Sequence, residues 1–373
     1  MNKFVRRSSW MIIAVLALVA MFSALYLTGC DTKQDIASAP TSNDEGIVLS
    51  KSNPQVQAVM AIQDKHTPAI MLDKNVVGTA TGKTDDGRLA VMVYLKEAGK
   101  SKIPVSLDGV PVVTEVTGAF RIMKGGGVSH KAIQTPPIQL GTSGGWRYDL
   151  ANGYCCGGTL GSLVQVGGTQ YVLSNYHVLY SDIVSGGNSR VATAGDPVIQ
   201  PGLIDVSCNA ANAQNVATLV NNGGSLPNNN VDVGIAQVIS GMVNTNGSIL
   251  EVGTISATTV GASIGQAVKK SGRTTGLTRS SVSGLNATVN IQYENECAGG
   301  NSFVQQYTGQ IVISNSGSRF LNSGDSGSLM VQDVTSNARA VGLLYAGSSS
   351  SAIANPIGEV LAWIGGGATM VGN

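Results

Sequence analysis

Short β-prone runs punctuated by glycine constrain this chain more than any other feature. From residue 159 onward, β-branched and apolar residues recur over 159–166, 169–174, 231–238, 287–293, 303–314, 328–332 and 340–345. Gly167-Gly168, between the first two runs, is a hairpin signal, because the central positions of such a turn need the left-handed backbone region. With 48 glycines and only 12% charged residues, the composition favours tight turns over a helical bundle. The expectation is a mainly β fold built as two barrels or a sandwich. Asn355-Pro356, the apolar stripe Val360, Leu361 and Ile364, and the stop at Gly365 predict a closing helix. A formal net charge of +1 leaves no electrostatic footprint for nucleic acid.

The N-terminus reads as an address. Lys3, Arg6 and Arg7 precede an apolar stretch from Trp10 to Leu27, so residues 1–29 are expected to be a signal peptide. Leu27-Thr28-Gly29-Cys30 resembles the bacterial lipobox. That resemblance implies cleavage before Cys30 and its lipidation, which would anchor the chain to a membrane of a bacterial cell envelope, outside the cytoplasm. An uncleaved signal anchor is the alternative. Residues 30–52 are polar and read as a flexible tether. Residues 53–123 read as a small α/β domain, with a helix capped by Asn53 and short strands near 76–79, 89–95 and 110–117. Residues 124–150 read as a linker whose later part packs on the next domain, which spans 151–373. Gly141-Thr142-Ser143-Gly144-Gly145 matches G-x-S-x-G literally, but no strand-then-helix pattern flanks it, so it is read as a loop.

Cys155, Cys156, Cys208 and Cys297 form an even set suited to an oxidising compartment. Neighbouring cysteines pair poorly, which leaves Cys155 and Cys156 bonded to Cys208 and Cys297 in either order. One bond plus two buried thiols is the alternative. Among the three histidines none lies near a cysteine pair with ligand spacing, so no metal and no organic cofactor is expected.

Three segments carry chemistry. Gly324-Asp325-Ser326-Gly327-Ser328 places a serine in a tight glycine turn, His177 follows the apolar run 171–174, and Asp232 interrupts the apolar run 231–235. A serine hydroxyl needs a base to take its proton, and the base needs an anion to fix its tautomer. A carboxylate within apolar sequence is costly unless paired, and an imidazole N–H is a suitable partner. His66, at a helix end, and His130, expected to be solvated in the linker, are weaker candidates for the base.

The order His, Asp, Ser in these contexts resembles the trypsin/chymotrypsin-like serine proteases. Lys270-Ser271-Gly272-Arg273-Thr274-Thr275-Gly276 resembles a motif of the bacterial alpha-lytic protease and streptogrisin group. The resemblance spans roughly residues 155–365. It implies a chymotrypsin-like double β-barrel with a C-terminal helix, and a serine endopeptidase acting on polypeptides. It also implies His177, Asp232 and Ser326 as catalytic residues, the N–H groups of Gly324 and Ser326 as an oxyanion hole, and an Arg273–Asp325 ion pair. It further places Phe320, Tyr345 and Gly347 at the substrate site. Tyr345 stands where that family usually has a serine supporting the aspartate. Two other functions fit the same residues: a non-catalytic envelope lipoprotein that binds peptides through the fold, and a serine esterase.

Overall fold

A computed structural model describes residues 48–122, 130–151, 154–180, 192–221, 230–293 and 302–373. Residues 1–29, Cys30 and Cys297, and with them the lipidation site and one disulfide candidate, lie outside the described residues.

The chain is mainly β. Helix α1 (Pro54–Ile70) starts where the Asn53 side chain accepts from the N–H groups of Gln55 and Val56, as the sequence predicts. Strands β1 (Val76–Lys83), β2 (Leu89–Leu95), β3 (Ser106–Leu107), β4 (Val110–Val116) and β5 (Phe120–Ile122) follow. Next come β6 (Thr142–Trp146), β7 (Leu150–Ala151), β8 (Tyr154–Cys155), β9 (Gly158–Leu160), β10 (Ser162–Val166) and β11 (Thr169–Ser174). Helix α2 (Tyr176–Leu179) leads to β12 (Pro197–Gln200), β13 (Gln214–Leu219), β14 (Gly234–Val238), β15 (Ser248–Ile249) and β16 (Gly253–Thr254). The remainder is β17 (Ala267–Gly272), β18 (Gly276–Tyr293), β19 (Phe303–Ser314), β20 (Leu329–Gln332), β21 (Ala340–Gly347), β22 (Ser351–Pro356), α3 (Ile357–Ile364) and β23 (Thr369–Met370).

Two large sheets organise these strands. The first runs β23-β10-β11-β14-β13-β12-β6-β9, and β9 continues into β10 through Gly161, so the path curls back on itself. It encloses Trp146, Leu160, Leu163, Val172, Leu179 and Val198. The hairpin expected at Gly167-Gly168 joins β10 to β11, with both glycines at positive φ. In the second sheet β17, β20, β21, β22, β19 and β18 are successive neighbours, and β17 also pairs with β18, which closes a barrel. Helix α3 ends at Gly365, as predicted.

Residues 53–122 contain the expected helix and strands, but these strands form no sheet of their own. β1 pairs antiparallel with β18, and β2, β4 and β3 continue outward from it in the same sheet. Burial explains the arrangement. Every residue of β2 is buried, so both of its faces need cover. Val91 and Val93 share a core with Val56 and Val59 of α1, while Met92 and Tyr94 join Phe120, Tyr293 and Tyr307.

The serine turn docks on the first barrel at a seam that tolerates no side chain. A Cβ on Gly161 would collide with the Gly327 carbonyl, and a Cβ on Gly327 would collide with Ser174 Oγ and the Thr159 carbonyl. Gly161→Ala is therefore expected to destabilise the fold by about 1–3 kcal/mol, the usual cost of overpacking. Gly358→Ala, where an added Cβ meets nothing within 4 Å, should change stability by less than about 0.5 kcal/mol. Urea denaturation midpoints of the two variants check this; equal midpoints would contradict a closed seam.

Candidate active site

His177 is held by the exit of β11. Asn175 occupies the N-cap position of the one-turn helix α2, which carries His177 as its second residue. The His177 Nδ1 atom lies 2.5 Å from Asp232 Oδ2, and the His177 backbone N–H donates to Asp232 Oδ1 at 3.2 Å. Two atoms of one residue thus bind both oxygens of the carboxylate, which fixes the imidazole orientation.

Asp232 is not inside a strand, although the apolar run predicts one over 231–238. β14 begins only at Gly234. At Asp232 side-chain amides replace the ladder. Its N–H donates to Asn355 Oδ1 at 3.1 Å, and its carbonyl accepts from Asn175 Nδ2 at 2.8 Å and Asn355 Nδ2 at 3.3 Å. The carboxylate also accepts a hydrogen bond from the Tyr293 hydroxyl at 2.9 Å. Tyr293 ends β18, and its ring meets the His177 ring edge-on at 6.0 Å. Sequence reasoning missed Tyr293, which lies far from the three motifs along the chain. The one available signal was the tyrosine at 345, which vacates the usual carboxylate-supporting hydroxyl. The Tyr345 hydroxyl itself has no hydrogen-bond partner among the described residues.

The serine turn is tied to β9, which is bonded in turn to the strand preceding His177. Thr159 donates its N–H to the Ser326 carbonyl at 2.8 Å and its Oγ1–H to the Gly324 carbonyl at 2.9 Å. Ser174, at the end of β11, donates in turn to the Thr159 carbonyl at 2.7 Å. A Cβ on Gly158 would lie 2.6 Å from the Val178 side chain and 2.9 Å from the Ser326 carbonyl, so this glycine separates the histidine helix from the serine turn. Ser326 Oγ donates to the Tyr345 carbonyl at 3.1 Å. Gly324 and Gly327 have φ of 95° and 93°, which glycine adopts without strain. Ser328 donates to the Asp325 carbonyl at 2.5 Å and so closes the turn from inside.

The charges around Asp325 are distributed differently from the expected Arg273–Asp325 pair. Arg273 forms a two-pronged pair with Asp205, Nε–Oδ2 at 2.6 Å and Nη2–Oδ1 at 2.5 Å. Ser143, the serine of the G-x-S-x-G match, also donates to Asp205, at 2.6 Å, which accounts for its burial. Asp325 is held instead by the Lys270 ammonium at 3.3 Å, the N–H groups of Thr274, Thr275 and Asn322, and Thr275 Oγ1. The reason is reach: Arg273 places its backbone N–H on Thr159 Oγ1 and its fork on the carboxylate of the first barrel. Burial lowers the Lys270 pKa from the ordinary 10.5, against the pull of Asp325. His130 is likewise not solvated. It is buried, with Nε2 2.7 Å from Glu251 and Nδ1 3.1 Å from the Gly141 carbonyl.

Of the expected substrate-site residues, Tyr345 and Gly347 lie on β21, while Phe320 packs into the core shared by Val268, Met330 and Leu344. Strand β5 lies on the β21 edge. It pairs antiparallel with β21 (Ala346↔Ile122, Gly347↔Arg121) and parallel with β18 (Ile291↔Phe120). Ser326 and Asp232 are fully buried, and His177 is 1% exposed. Cys155 is bonded to Cys208, and Cys156 is also disulfide-bonded, so the alternative of two free thiols does not hold.

Residues 205–355 match the model of the Nal1 C-terminal domain, less than half of the chain. No curated protein matches significantly. Among solved structures, the chain is similar to a glutamic-acid-specific serine protease described as using a histidine triad in substrate binding. The two share 20% identity over 62% of this chain and 100% of that one, with a TM-score of 0.41. It is also similar to Protease A of Thermobifida fusca, at 19% identity over 63% of this chain and 99% of that one, with a TM-score of 0.40. A chymotrypsin of Cellulomonas bogoriensis shares 18% identity over 63% of this chain and 99% of that one, with a TM-score of 0.38. These likenesses are remote, and the functional reading below rests on the chain's own residues.

Removing Lys270 should leave the buried Asp325 charge with neutral donors only. Lys270→Met is expected to destabilise the fold by about 3–5 kcal/mol. In double-mutant cycles with Asp325→Asn, Lys270→Met should couple strongly and Arg273→Met weakly. The pH dependence follows from the lowered pKa. Just below 10.5 the unfolded chain binds the Lys270 proton more tightly than the folded chain does, so this group's contribution to stability rises with pH there. Denaturation between pH 8 and 10.5 should show a slope that is smaller in Lys270→Met.

Proposed function

We propose that the chain is a serine endopeptidase acting through an acyl-enzyme. The observation that carries this reading is the buried His177–Asp232 pair, with the serine turn hydrogen-bonded to Thr159 of β9, which Ser174 links to the strand that delivers the histidine. In the proposed mechanism, Ser326 Oγ attacks the scissile carbonyl carbon as its proton passes to His177 Nε2. Asp232 orients the ring and stabilises the imidazolium. The N–H groups of Gly324 and Ser326 receive the oxyanion. Collapse of the tetrahedral adduct breaks the C–N bond, and the imidazolium proton goes to the leaving amine. A water deprotonated by His177 then releases the acid and restores the serine.

The substrate is proposed to be a polypeptide that adds as an antiparallel strand to the β21 edge, beside Tyr345, whose carbonyl already accepts from Ser326. β5 occupies that edge. The reading therefore includes a latent state, in which Phe120–Ile122 must leave before a substrate strand can bind. Lipid anchoring through Cys30 in a bacterial envelope is part of the same proposal. It predicts that Cys30→Ser releases the chain from the membrane fraction.

A fluorophosphonate probe tests the chemistry. Labelling should be slow in the intact chain and absent in Ser326→Ala and His177→Ala. Phe120→Ala removes the buried anchor of β5 and should raise the labelling rate by about tenfold or more. Labelling that persists in Ser326→Ala would refute the assignment, and a casein digest separates a peptidase from an esterase.

A further inference from the structure

We infer that Tyr293 and Tyr307 form a hydroxyl relay that positions the Asp232 carboxylate, replacing a support that the residue at 345 does not give. The inference rests on the hydrolase reading and adds two positioning residues to it.

The geometry is specific. Asp232 Oδ2 accepts from the Tyr293 hydroxyl at 2.9 Å and lies 2.5 Å from His177 Nδ1, so both donors converge on one oxygen. The Tyr293 and Tyr307 oxygens are 2.5 Å apart. Each phenol has a single proton. Since Tyr293 spends its proton on Asp232, its oxygen must accept the proton of Tyr307. The order Tyr307 to Tyr293 to Asp232 is therefore fixed, and each bond polarises the next. Both hydroxyls are buried, and burial with the nearby Asp232 charge holds their pKa values well above 10, so they stay protonated donors at neutral pH. The rings are fixed independently of their hydroxyls. Tyr293 stacks on Phe303 at 4.9 Å, and Tyr307 meets Tyr345 edge-on at 5.1 Å. The Tyr345 hydroxyl has no hydrogen-bond partner among the described residues, and Tyr293 is the phenol that bonds the carboxylate.

Removing the relay should alter the base before it alters binding. Without the Tyr293 donor, the Asp232 charge is less dispersed and holds the imidazolium proton more tightly, so the acid limb of the rate profile should move upward. Among the described residues, the titratable groups facing this pair are Tyr176 from α2, Tyr293 from β18, Tyr307 from β19 and Tyr345 from β21. All four are phenols with raised pKa and stay protonated across the acid limb.

The experiment compares fluorophosphonate labelling from pH 5 to 9 in the full chain, Tyr293→Phe, Tyr307→Phe and the double variant. Tyr293→Phe should label about tenfold more slowly, with its acid limb displaced upward by about 0.5–1 pH unit. Tyr307→Phe should show a smaller effect in the same direction, and the double variant should be no slower than Tyr293→Phe. A Tyr293→Phe profile superimposable on that of the unmodified chain, or strictly additive effects of the two substitutions, would overturn the relay. A proton NMR arm needs no turnover: the downfield His177 Nδ1–H resonance should move in both single variants and vanish in Asp232→Asn. If the unmodified chain takes no label, the hydrolase reading fails while this resonance still tests the relay. A resonance unmoved in both single variants would sink the relay alone.

Discussion

A carboxylate buried without solvent must collect its donors from the protein, and Asp232 draws them from both barrels. His177 from the first barrel and Tyr293 from β18 bind the carboxylate, while Asn175 from the first barrel and Asn355 from β22 hold the backbone carbonyl and N–H of the same residue. Leaving such a charge unpaired would cost several kcal/mol, so the two sheets are held in the one relation that satisfies it. The chemistry of the site and the docking of the barrels are thus the same physical problem. This is why the strand expected at 231–238 starts late: the Asp232 backbone N–H and carbonyl are taken by the side-chain amides of Asn355 and Asn175 rather than by a ladder.

A second set of buried charges fixes the serine turn. Asp325 takes five donors, among them Lys270, while Arg273 bridges to Asp205 of the first barrel. The motif 270–276 therefore supplies two cations that act in opposite directions, one into the turn and one across the seam. Glycines at 158, 161 and 327 let the backbones approach closely enough for Thr159 to hydrogen-bond the turn.

Residues 53–122 complete the second sheet rather than standing apart. β1 and β2 need both faces covered, and α1 supplies only one cover. The consequence is that β5 reaches the β21 edge and fills a position between β18 and β21, with Phe120 buried among aromatic rings.

Local sequence was enough for everything that depends on local physics. Glycine turns, alternation, the Asn53 cap, the Gly365 stop and the mainly β class are all properties of a few neighbouring residues. The serine, histidine and aspartate could be singled out because each sits in a context that its chemistry requires. Pairings between distant residues were decided only by tertiary structure. Arg273 and Lys270 are both cations of one short motif, and only the path of the chain determines which reaches Asp325. Tyr293 and Tyr307 look like ordinary strand aromatics, and the carboxylate that Tyr293 supports lies 61 residues before it in the chain. The occupant of the β21 edge was likewise hidden, because β5 is three residues long and its pairing depends on two strands more than 150 residues away.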